Sequence, residues 1–353
     1  MLTYIISFAL SISLSTILVL AISRLFTKID ILDNPKKYWK KRNAIPYSLG
    51  IIFFIAFFIL SFIFVDYSYK LLLIWVFWAV VTTISFLDDL TSMSAKTRLL
   101  IQIIIGATIG ITSIKIWYVS NVFWWIIELE TLSAIVAWRE IFIIPLIFTI
   151  IWYVFVFNAL NWTDGIQGNT SGLSLICFFV IFLLWLKLYM TDDYSWGLKN
   201  AEFVMQICII LVGILIPFFY FDYREKILMW DSGTMFLGFM LATLAIISWG
   251  KIATVLAVFG IYAVDAIYVI VRRIIAWKNP LKWDFTHLHH RLLDVWFTKN
   301  QILTLVFSLS FFFWVTALFL DKAWKIVVFI IITLFVVFLS YILQRVKKIS
   351  FKK

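Results

Sequence analysis

The sequence predicts an all-α integral membrane protein, a polytopic bundle of about eleven transmembrane helices. Of its 353 residues, 64% are hydrophobic and only 14% are charged, which is outside the range of soluble globular proteins. The apolar residues form continuous runs, whereas a transmembrane β-barrel would show short alternating segments. The basic residues gather in alternate linkers, as expected when linkers face opposite sides of a membrane.

Eleven apolar windows are long enough to cross a hydrocarbon core of ~30 Å as helices. They lie at about 3–25, 47–65, 71–87, 99–118, 141–160, 170–190, 203–221, 232–248, 252–271, 301–320 and 324–344.

The distribution of basic residues gives the orientation. The first window has no basic residue before it and no small-residue cleavage pattern after it, so it reads as a retained helix with its N-terminus outside. Eleven crossings then place the C-terminus in the cytosol. Cytosolic segments collect 22 of the 30 Lys and Arg residues and outside segments the remaining 8, in agreement with the positive-inside rule. The formal net charge of +11 suits a face that attracts anionic lipids and ligands.

Gly and Pro together total only 17 residues, which indicates that the linkers are short. We therefore expect one membrane domain over residues 1–353. Its cytosolic loops would lie at about 26–46, 88–98, 158–169, 222–231 and 272–300.

Two adjacent carboxylates, Asp88 and Asp89, end the third window. A charge at the bilayer centre costs at least ~2.5 kcal/mol and less toward the interface, so such residues usually have a function. Neighbouring helix residues point about 100° apart, which predicts separate partners for the two carboxylates. The alternative is a simple helix end in water.

Asn158, Asn161 and Asp164 recur at every third position after an uncharged run. On a continuing helix they would form one polar stripe, with amides for a polar ligand and a hard oxygen for a cation. Gly165 and Gly168 would let the backbone turn beside a ligand. The alternative is a helix-end cap.

Two further aspartates lie at the same predicted side. Asp231 begins the eighth window, where it could serve as an N-cap, as a metal ligand or as both. Asp265 precedes Arg272 and Arg273 by two helical turns, and it could be a structural partner of an arginine elsewhere in the bundle.

All three histidines fall in HLHH, as His287, His289 and His290, and Arg291 follows. A zinc site is one alternative, but the spacing supplies no i, i+4 pair and no Cys partner. A solvated loop is another. A His/Arg cluster suited to phosphate oxygens fits better. With the carboxylates as oxygen ligands for Mg²⁺, these residues predict phosphoryl-group chemistry at the cytosolic surface.

In this order the motifs resemble those of the polyprenyl-phosphate N-acetylhexosamine-1-phosphate transferases, which are of the glycosyltransferase family 4 type. The resemblance covers almost the whole chain and is carried by DNP with IPYSLG, LDDL with SAKTRLLIQ, NALNWTDGIQG, WDSGTMFLGF, VDAIYVIVRR and DFTHLHHRLLD. HLHH resembles the GlcNAc-1-phosphate transferase branch more than the phospho-MurNAc-pentapeptide transferase branch, which usually has three consecutive histidines.

The resemblance implies transfer of an N-acetylhexosamine-1-phosphate, GlcNAc-1-phosphate first among them, from a UDP-sugar to undecaprenyl phosphate. UMP would leave on the cytosolic face of the bacterial cytoplasmic membrane, and a lipid-linked glycan such as O-antigen or teichoic acid would begin. The implied cofactor is Mg²⁺, with Mn²⁺ as an alternative. The implied partners are the two substrates, membrane lipids and a second copy of the chain, without nucleic acid.

The resemblance also implies roles for individual residues. Those implied to be catalytic are Asp88, Asp89, Asp164, His287, His289 and His290. Those implied to bind substrate are Asn158, Asn161, Gln167, Lys96, Arg291 and Asp265, and those implied to bind the metal are Asp231 and Asp164.

Several positions depart from the family pattern. Gln167 stands where an Asp usually contacts the nucleobase, and Trp230 and Trp296 stand where Gly is usual. Asn43 replaces a common His, and Leu49 replaces the first residue of a Gly-Gly pair. An inactive scaffold therefore remains an alternative to the transferase. A transporter is another, because carboxylates and asparagines in membrane segments also mark ion and substrate paths.

Overall fold

A computed structural model describes residues 1–35, 42–120, 126–136, 138–190, 198–248, 256, 259–279, 286–319 and 322–350. Residues 36–41, which make up most of the basic run, lie outside this part. Residues 280–285, which precede the histidines, also lie outside it. Within it the chain is mostly helical. The helices are α1 Leu2–Lys28, α2 Ile51–Phe64, α3 Tyr69–Thr91, α4 Ala95–Gly110, α5 Ile143–Asn161, α6 Asn169–Met190, α7 Leu198–Tyr223, α8 Trp230–Ile247, α9 Gly260–Ile275, α10 Leu288–Asp294, α11 Lys299–Phe319 and α12 Lys322–Ser350.

Each of the eleven predicted windows overlaps one of these helices, and α10 is the additional one. In the described ranges, six helices are long and apolar enough to cross a membrane, namely α1, α3, α5, α6, α7 and α8. Shorter apolar helical stretches occur at Ile51–Phe64, Lys299–Val315 and Val327–Leu343. The chain is therefore a multi-pass membrane protein, while the number of crossings and the orientation stay predictions.

The all-α expectation is wrong for one segment, which forms two antiparallel hairpins. Strands β1 Tyr118–Ser120 and β2 Ile126–Glu128 pair with each other, and β3 Ser133–Val136 pairs with β4 Arg139–Phe142. Each strand has only three or four residues, which is too short for a period-two pattern to stand out.

The chain forms two compact units. Unit 1 comprises 1–93 and 167–248, and so contains α1, α2, α3, α6, α7 and α8. Unit 2 comprises 94–166 and 249–353, and contains α4, α5, the hairpins and α9 to α12. The single domain stays a prediction.

In unit 1, aromatic side chains fill the space between α2, α3, α7 and α8. The Phe53 ring lies 4.5 Å from that of Phe218 and 5.5 Å from that of Phe236. Trp78 packs edge-on against Phe57 at 5.7 Å. All five rings are buried, which fixes α8 beside α3.

Small residues bring α1 and α7 together in the same unit. Ser7, Ser11 and Ser15 recur every fourth residue along one face of α1 and are fully buried. The Gln206 amide donates to Ser7 Oγ at 2.7 Å, and Ser15 Oγ donates to the Ile214 carbonyl at 2.8 Å. Small polar residues at this spacing are typical of helix contacts inside membranes.

In unit 2, α4 packs on α5 and α9 packs on α12. A Cβ added at Gly106 would lie 3.1 Å from the Ile150 Cα, so the two backbones approach closely there. Further along, Asn158 Nδ2 donates to Gln102 Oε1 at 2.6 Å. This contact fixes the end of α5 that leads into the predicted site.

Tryptophan occupies backbone positions that usually require glycine. Eight described residues other than glycine have positive φ, and four of them are Trp138, Trp230, Trp277 and Trp296, at 65°, 55°, 54° and 73°. Trp277 and Trp296 follow the ends of α9 and α10, where a hydrogen bond from the next residue closes the helix. This left-handed position is normally taken by glycine, because a Cβ there costs about 1–2 kcal/mol.

The side chains do not compensate for this cost through packing, because Trp277 is 97% and Trp296 is 90% exposed. We expect Trp277→Gly and Trp296→Gly each to raise the free energy of unfolding by up to about 1 kcal/mol, after the greater freedom of unfolded glycine is subtracted. The apparent unfolding temperature in detergent measures this. Trp277→Ala is the control, because alanine removes the indole but keeps the Cβ. An equal gain from alanine would show that the backbone is not the cause.

Candidate active site

The predicted site residues fall mainly into two clusters, one in each unit. The carboxylate cluster of unit 1 consists of Asp88, Asp89 and Asp231 with Ser48 and Ser232. The histidine cluster of unit 2 consists of Asp265, His287, His289, His290 and Arg291.

Asp88 and Asp89 lie in the last turn of α3, and both are buried. Asp88 Oδ1 accepts a hydrogen bond from the Met93 backbone N–H at 2.6 Å, just beyond the end of its own helix. Asp89 instead faces α8. The two neighbours therefore have different partners, as their angular separation predicts.

Asp89 caps the start of α8 from another helix. Its Oδ1 accepts from the Asp231 N–H at 2.9 Å, and its Oδ2 accepts from the Ser232 N–H at 3.0 Å. Ser48 Oγ donates to the same Oδ2 at 2.6 Å. The first backbone N–H groups of a helix need partners, and the positive end of the helix dipole stabilises a carboxylate there.

Asp231 is the second residue of α8, and Met229 is the N-cap. The N-cap alternative for the Asp231 side chain is therefore wrong, because the cap on its backbone comes from Asp89. The ring of Trp230, just before it, packs on the Tyr47 ring at a centroid distance of 4.1 Å. Burial and the Asp89 charge raise the pKa of Tyr47 above its usual value.

A glycine contact holds α2 against α8 beside Asp231. A Cβ added at Gly50 would lie 2.0 Å from the Gly233 backbone nitrogen and 2.4 Å from the Ser232 carbonyl carbon. No side chain fits that space. The family pattern has glycine at positions 49 and 50. This chain keeps only Gly50, where the backbones of α2 and α8 meet.

The expected polar stripe ends earlier than predicted. Helix α5 ends at Asn161, and Asp164 lies in the turn that follows, where its N–H donates to the Asn161 carbonyl at 3.1 Å. The stripe on one continuing helix is therefore wrong beyond Asn161. A Cβ at Gly165 would lie 2.2 Å from His289 Nε2, so the turn lies directly against the histidine cluster.

Asp222, which sequence reasoning missed, fixes the turn after Gln167. Gly168 has φ +86°, and its N–H donates to Asp222 Oδ2 at 3.0 Å. Ser171 Oγ donates to the same oxygen at 2.6 Å. Asp222 lies at the end of α7 and is only 1% exposed. Its signal in the sequence was a single acid at the end of a long apolar window.

Asp265 on α9 organises the histidine cluster. Its Oδ2 lies 3.0 Å from His287 Nδ1 and accepts from the Leu288 N–H at 3.0 Å. Its Oδ1 accepts a short hydrogen bond from Arg291 Nη2. Asp265 is thus paired with an arginine, one of the two alternatives that the sequence left open, and the partner is Arg291.

Several polar atoms of this cluster are buried without a hydrogen-bond partner in the described part of the chain. They are both ring nitrogens of His289, and Nε and Nη1 of Arg291. Leaving such a group unpaired costs about 1–3 kcal/mol or more. Burial, followed by the nearby His290, His287 and Arg291, holds the pKa of His289 well below its usual value, so this ring is neutral.

Three buried aspartates therefore play the same structural role. Asp89, Asp222 and Asp265 are each buried, and each accepts a backbone N–H at the start of another helix, α8, α6 and α10 respectively. Residues that the sequence predicts to be functional lie at the start of α8 and α10, and Gln167 lies two residues before α6. The buried carboxylates thus fix the backbone at the predicted site residues.

The remaining candidates have plainer surroundings. Lys96 is exposed in the first turn of α4, next to the N-cap Ser94.

Among the described residues no three His, Cys, Asp or Glu side chains converge as a metal site would require. Mg²⁺ needs only one or two carboxylates when substrate phosphates complete its shell, and the half-buried Asp231, whose backbone N–H is held by Asp89, fits that requirement.

Comparison with known proteins identifies the family of the chain. Residues 71–249 match the family described as "Glycosyl transferase family 4". The chain is 24% identical to "Probable undecaprenyl-phosphate N-acetylglucosaminyl 1-phosphate transferase" of Bacillus subtilis over 96% of this chain and 90% of that protein. It is also 24% identical to "Undecaprenyl-phosphate alpha-N-acetylglucosaminyl 1-phosphate transferase" of Thermotoga maritima, over 80% of each. It is 28% identical to "Phospho-N-acetylmuramoyl-pentapeptide-transferase" of Caldanaerobacter subterraneus, over 75% of this chain and 80% of that protein. The resemblance inferred from the motifs is confirmed, and the chain belongs to glycosyl transferase family 4.

Proposed function

We propose that the protein transfers an N-acetylhexosamine-1-phosphate, most readily GlcNAc-1-phosphate, from a UDP-sugar to undecaprenyl phosphate. The reaction would take place at the cytosolic face of the bacterial cytoplasmic membrane and would start a lipid-linked cell-surface glycan. The names of the two relatives that transfer N-acetylglucosaminyl 1-phosphate support the sugar and the lipid acceptor.

The observation that carries the proposal is the set of buried, unpartnered donors in the histidine cluster. Among the described residues, Arg291 has Nε and Nη1 without a partner, and neutral His289 has an N–H that lacks an acceptor. Phosphate oxygens are the acceptors that best suit an arginine and histidine set. The cluster would thus bind a phosphate group of the UDP-sugar.

The carboxylate cluster of unit 1 would bind the cation and handle the proton of the attacking group. Asp231 would hold Mg²⁺, and Asp88 would orient the attacking phosphate or accept its proton. A bound Mg²⁺ would neutralise charge on the transferring phosphoryl group. Asp89 keeps Asp231 in position by accepting its backbone N–H.

In the proposed reaction, an oxygen of undecaprenyl phosphate attacks the phosphorus that carries the sugar. A new P–O bond forms, the bond to the bridging oxygen breaks, and UMP leaves with that oxygen. The product is a lipid diphosphate-linked sugar. In-line displacement of this kind depends mainly on positioning and on charge neutralisation.

Release of UMP by the detergent-purified chain tests the proposal. The reaction would contain undecaprenyl phosphate, Mg²⁺ or Mn²⁺, and one donor at a time from UDP-GlcNAc, UDP-GalNAc and UDP-MurNAc-pentapeptide. We expect cation-dependent release with UDP-GlcNAc, and its loss in Asp88→Asn. Release with the pentapeptide donor alone would move the chain to the other branch of the family.

The alternatives have distinct outcomes in the same assay. Protein that is folded, by its unfolding transition, yet inactive with every donor would favour a scaffold or transporter. Because Gln167 departs from the family at a position associated with the base, CDP- and dTDP-sugars complete the donor panel, with release of CMP and dTMP as the readout. Turnover with one of these alone would contradict the uridine specificity.

A further inference from the structure

We infer that Asp265 is a positioning residue, which fixes the proton of His287 on Nδ1 and holds Arg291 by Nη2. His287 Nε2 and the remaining guanidinium donors are thereby left for the ligand. This assignment deepens the proposed function and rests on it for the identity of the ligand. In this assignment Asp265 acts through His287 and Arg291, whereas the family resemblance implies direct contact between Asp265 and the substrate.

The two oxygens of Asp265 are already used by the protein. Oδ2 lies 3.0 Å from His287 Nδ1 and accepts from the Leu288 N–H, and Oδ1 accepts from Arg291. The residue is 1% exposed. A carboxylate with this burial and these partners has little capacity left for a substrate hydroxyl or a metal ion, so its effect must pass through the groups that it holds.

The contact with Asp265 selects one tautomer of the His287 ring. A carboxylate only accepts hydrogen bonds, so the Nδ1 that faces it carries the proton. The ring is held on a second side by Trp162, whose ring lies 5.0 Å away in a stacked orientation. Nε2 is then the nitrogen through which His287 can accept a proton from a ligand or donate one to it.

The contact with Arg291 works in the same way. Nη2 is anchored on Asp265, and the guanidinium carbon lies 5.3 Å from the centre of the Tyr268 ring. Nε and Nη1 have no partner in the part of the chain that the structure describes. A planar guanidinium anchored by one nitrogen loses little further freedom when it binds a phosphate oxygen through the others.

Asparagine at position 265 would oppose this arrangement. Its amide has one oxygen, so it can serve either Arg291 or the His287 side, and its NH₂ group would then face a donor on the other. The chain offers a specific probe, because all three of its histidines lie in this cluster. Histidine labelled with ¹⁵N therefore reports on the cluster alone.

The test is the ¹⁵N spectrum of the histidine rings in the detergent-solubilised full chain. We expect one histidine of the unaltered protein, assigned with His287→Gln, to carry its proton on Nδ1. In Asp265→Asn that signature should disappear, whereas Asp294→Asn, an exposed change on the same short helix, should leave it intact. An unaltered protein in which His287 carries its proton on Nε2 alone would overturn the inference, even if Asp265→Asn does not fold.

Measurement of turnover is the second part of the test. Asp265→Asn should lower kcat/KM for the sugar donor roughly 10- to 100-fold, the scale found for carboxylates that orient histidine ligands in metal sites. The double variant with His287→Gln should lose less than the sum of the two single losses, because both act through one ring. Additive losses would contradict the inference. Failure of the unaltered protein to turn over any donor, with the Nδ1 signature present, would contradict the proposed function alone.

Discussion

Asp231→Asn is expected to lower the Mg²⁺-dependent release of UMP by roughly 10²- to 10³-fold, the loss usual when one electrostatic group is removed from a transition state. Asparagine keeps the size of the side chain, and the backbone N–H that Asp89 accepts is unchanged. Only the negative charge that would hold the cation is lost. The variant should therefore remain folded, with its Mg²⁺ requirement shifted to higher concentration.

The control is Asp66→Asn, the same chemical change at an exposed position after α2. It should leave both rate and unfolding temperature as they are. Both variants would be titrated with Mg²⁺ at saturating donor. If Asp231→Asn kept the full rate at low Mg²⁺, Asp231 could not be the metal ligand, and the carboxylate cluster would need another role.

Gly50→Ala is expected to have the largest effect on stability. The added Cβ would meet backbone atoms of Gly233 and Ser232 at 2.0 to 2.4 Å, and backbone cannot rotate away as a side chain can. Overpacking of this kind costs typically ~1–3 kcal/mol and more where nothing can move. The first turn of α8 would shift, and Asp231 and Ser232 would shift with it. Both the unfolding temperature and the UMP release rate should therefore fall.

A matched control is Gly260→Ala on α9. There the added Cβ would meet Ile332 Cδ1 at 3.1 Å, and the end of a flexible side chain can move by a few tenths of an ångström. We expect little change in that variant. A Gly50→Ala protein as stable and as active as the Gly260→Ala protein would contradict the close approach of α2 and α8.

The helices were predictable from the sequence, but their ends and the contacts between them were not. Long apolar windows locate each main helix, because a membrane span requires sustained hydrophobicity. The same windows cannot show that α5 ends at Asn161, since that end depends on a local turn. The short hairpins and the seven-residue α10 carry too few residues for any period to emerge.

For the site, residue types were predictable and partnerships were not. Asp88, Asp89 and Asp265 stood out as charges in or beside apolar windows. That Asp89 caps α8 and Asp265 binds Arg291 depends on contacts across 142 and 26 residues, which no local pattern encodes. Asp222 was missed because its partners, Gly168 and Ser171, are more than 50 residues away in sequence.

The tryptophans with positive φ bear on how the gene itself is decoded. Tryptophan outnumbers glycine in this chain, 18 to 12, against an average glycine usage of about 7%. UGA, a stop codon in the standard code, specifies tryptophan in some bacterial lineages and glycine in others. If the codons at Trp138, Trp230, Trp277 and Trp296 are UGA, reading them as glycine would remove the backbone strain at all four positions. It would also remove the exposed indoles at 138, 277 and 296. It would also restore glycine at 230 and 296, where the family pattern has it. The peptide masses of the protein made in its own cells, together with the four codons, would decide between the two amino acids.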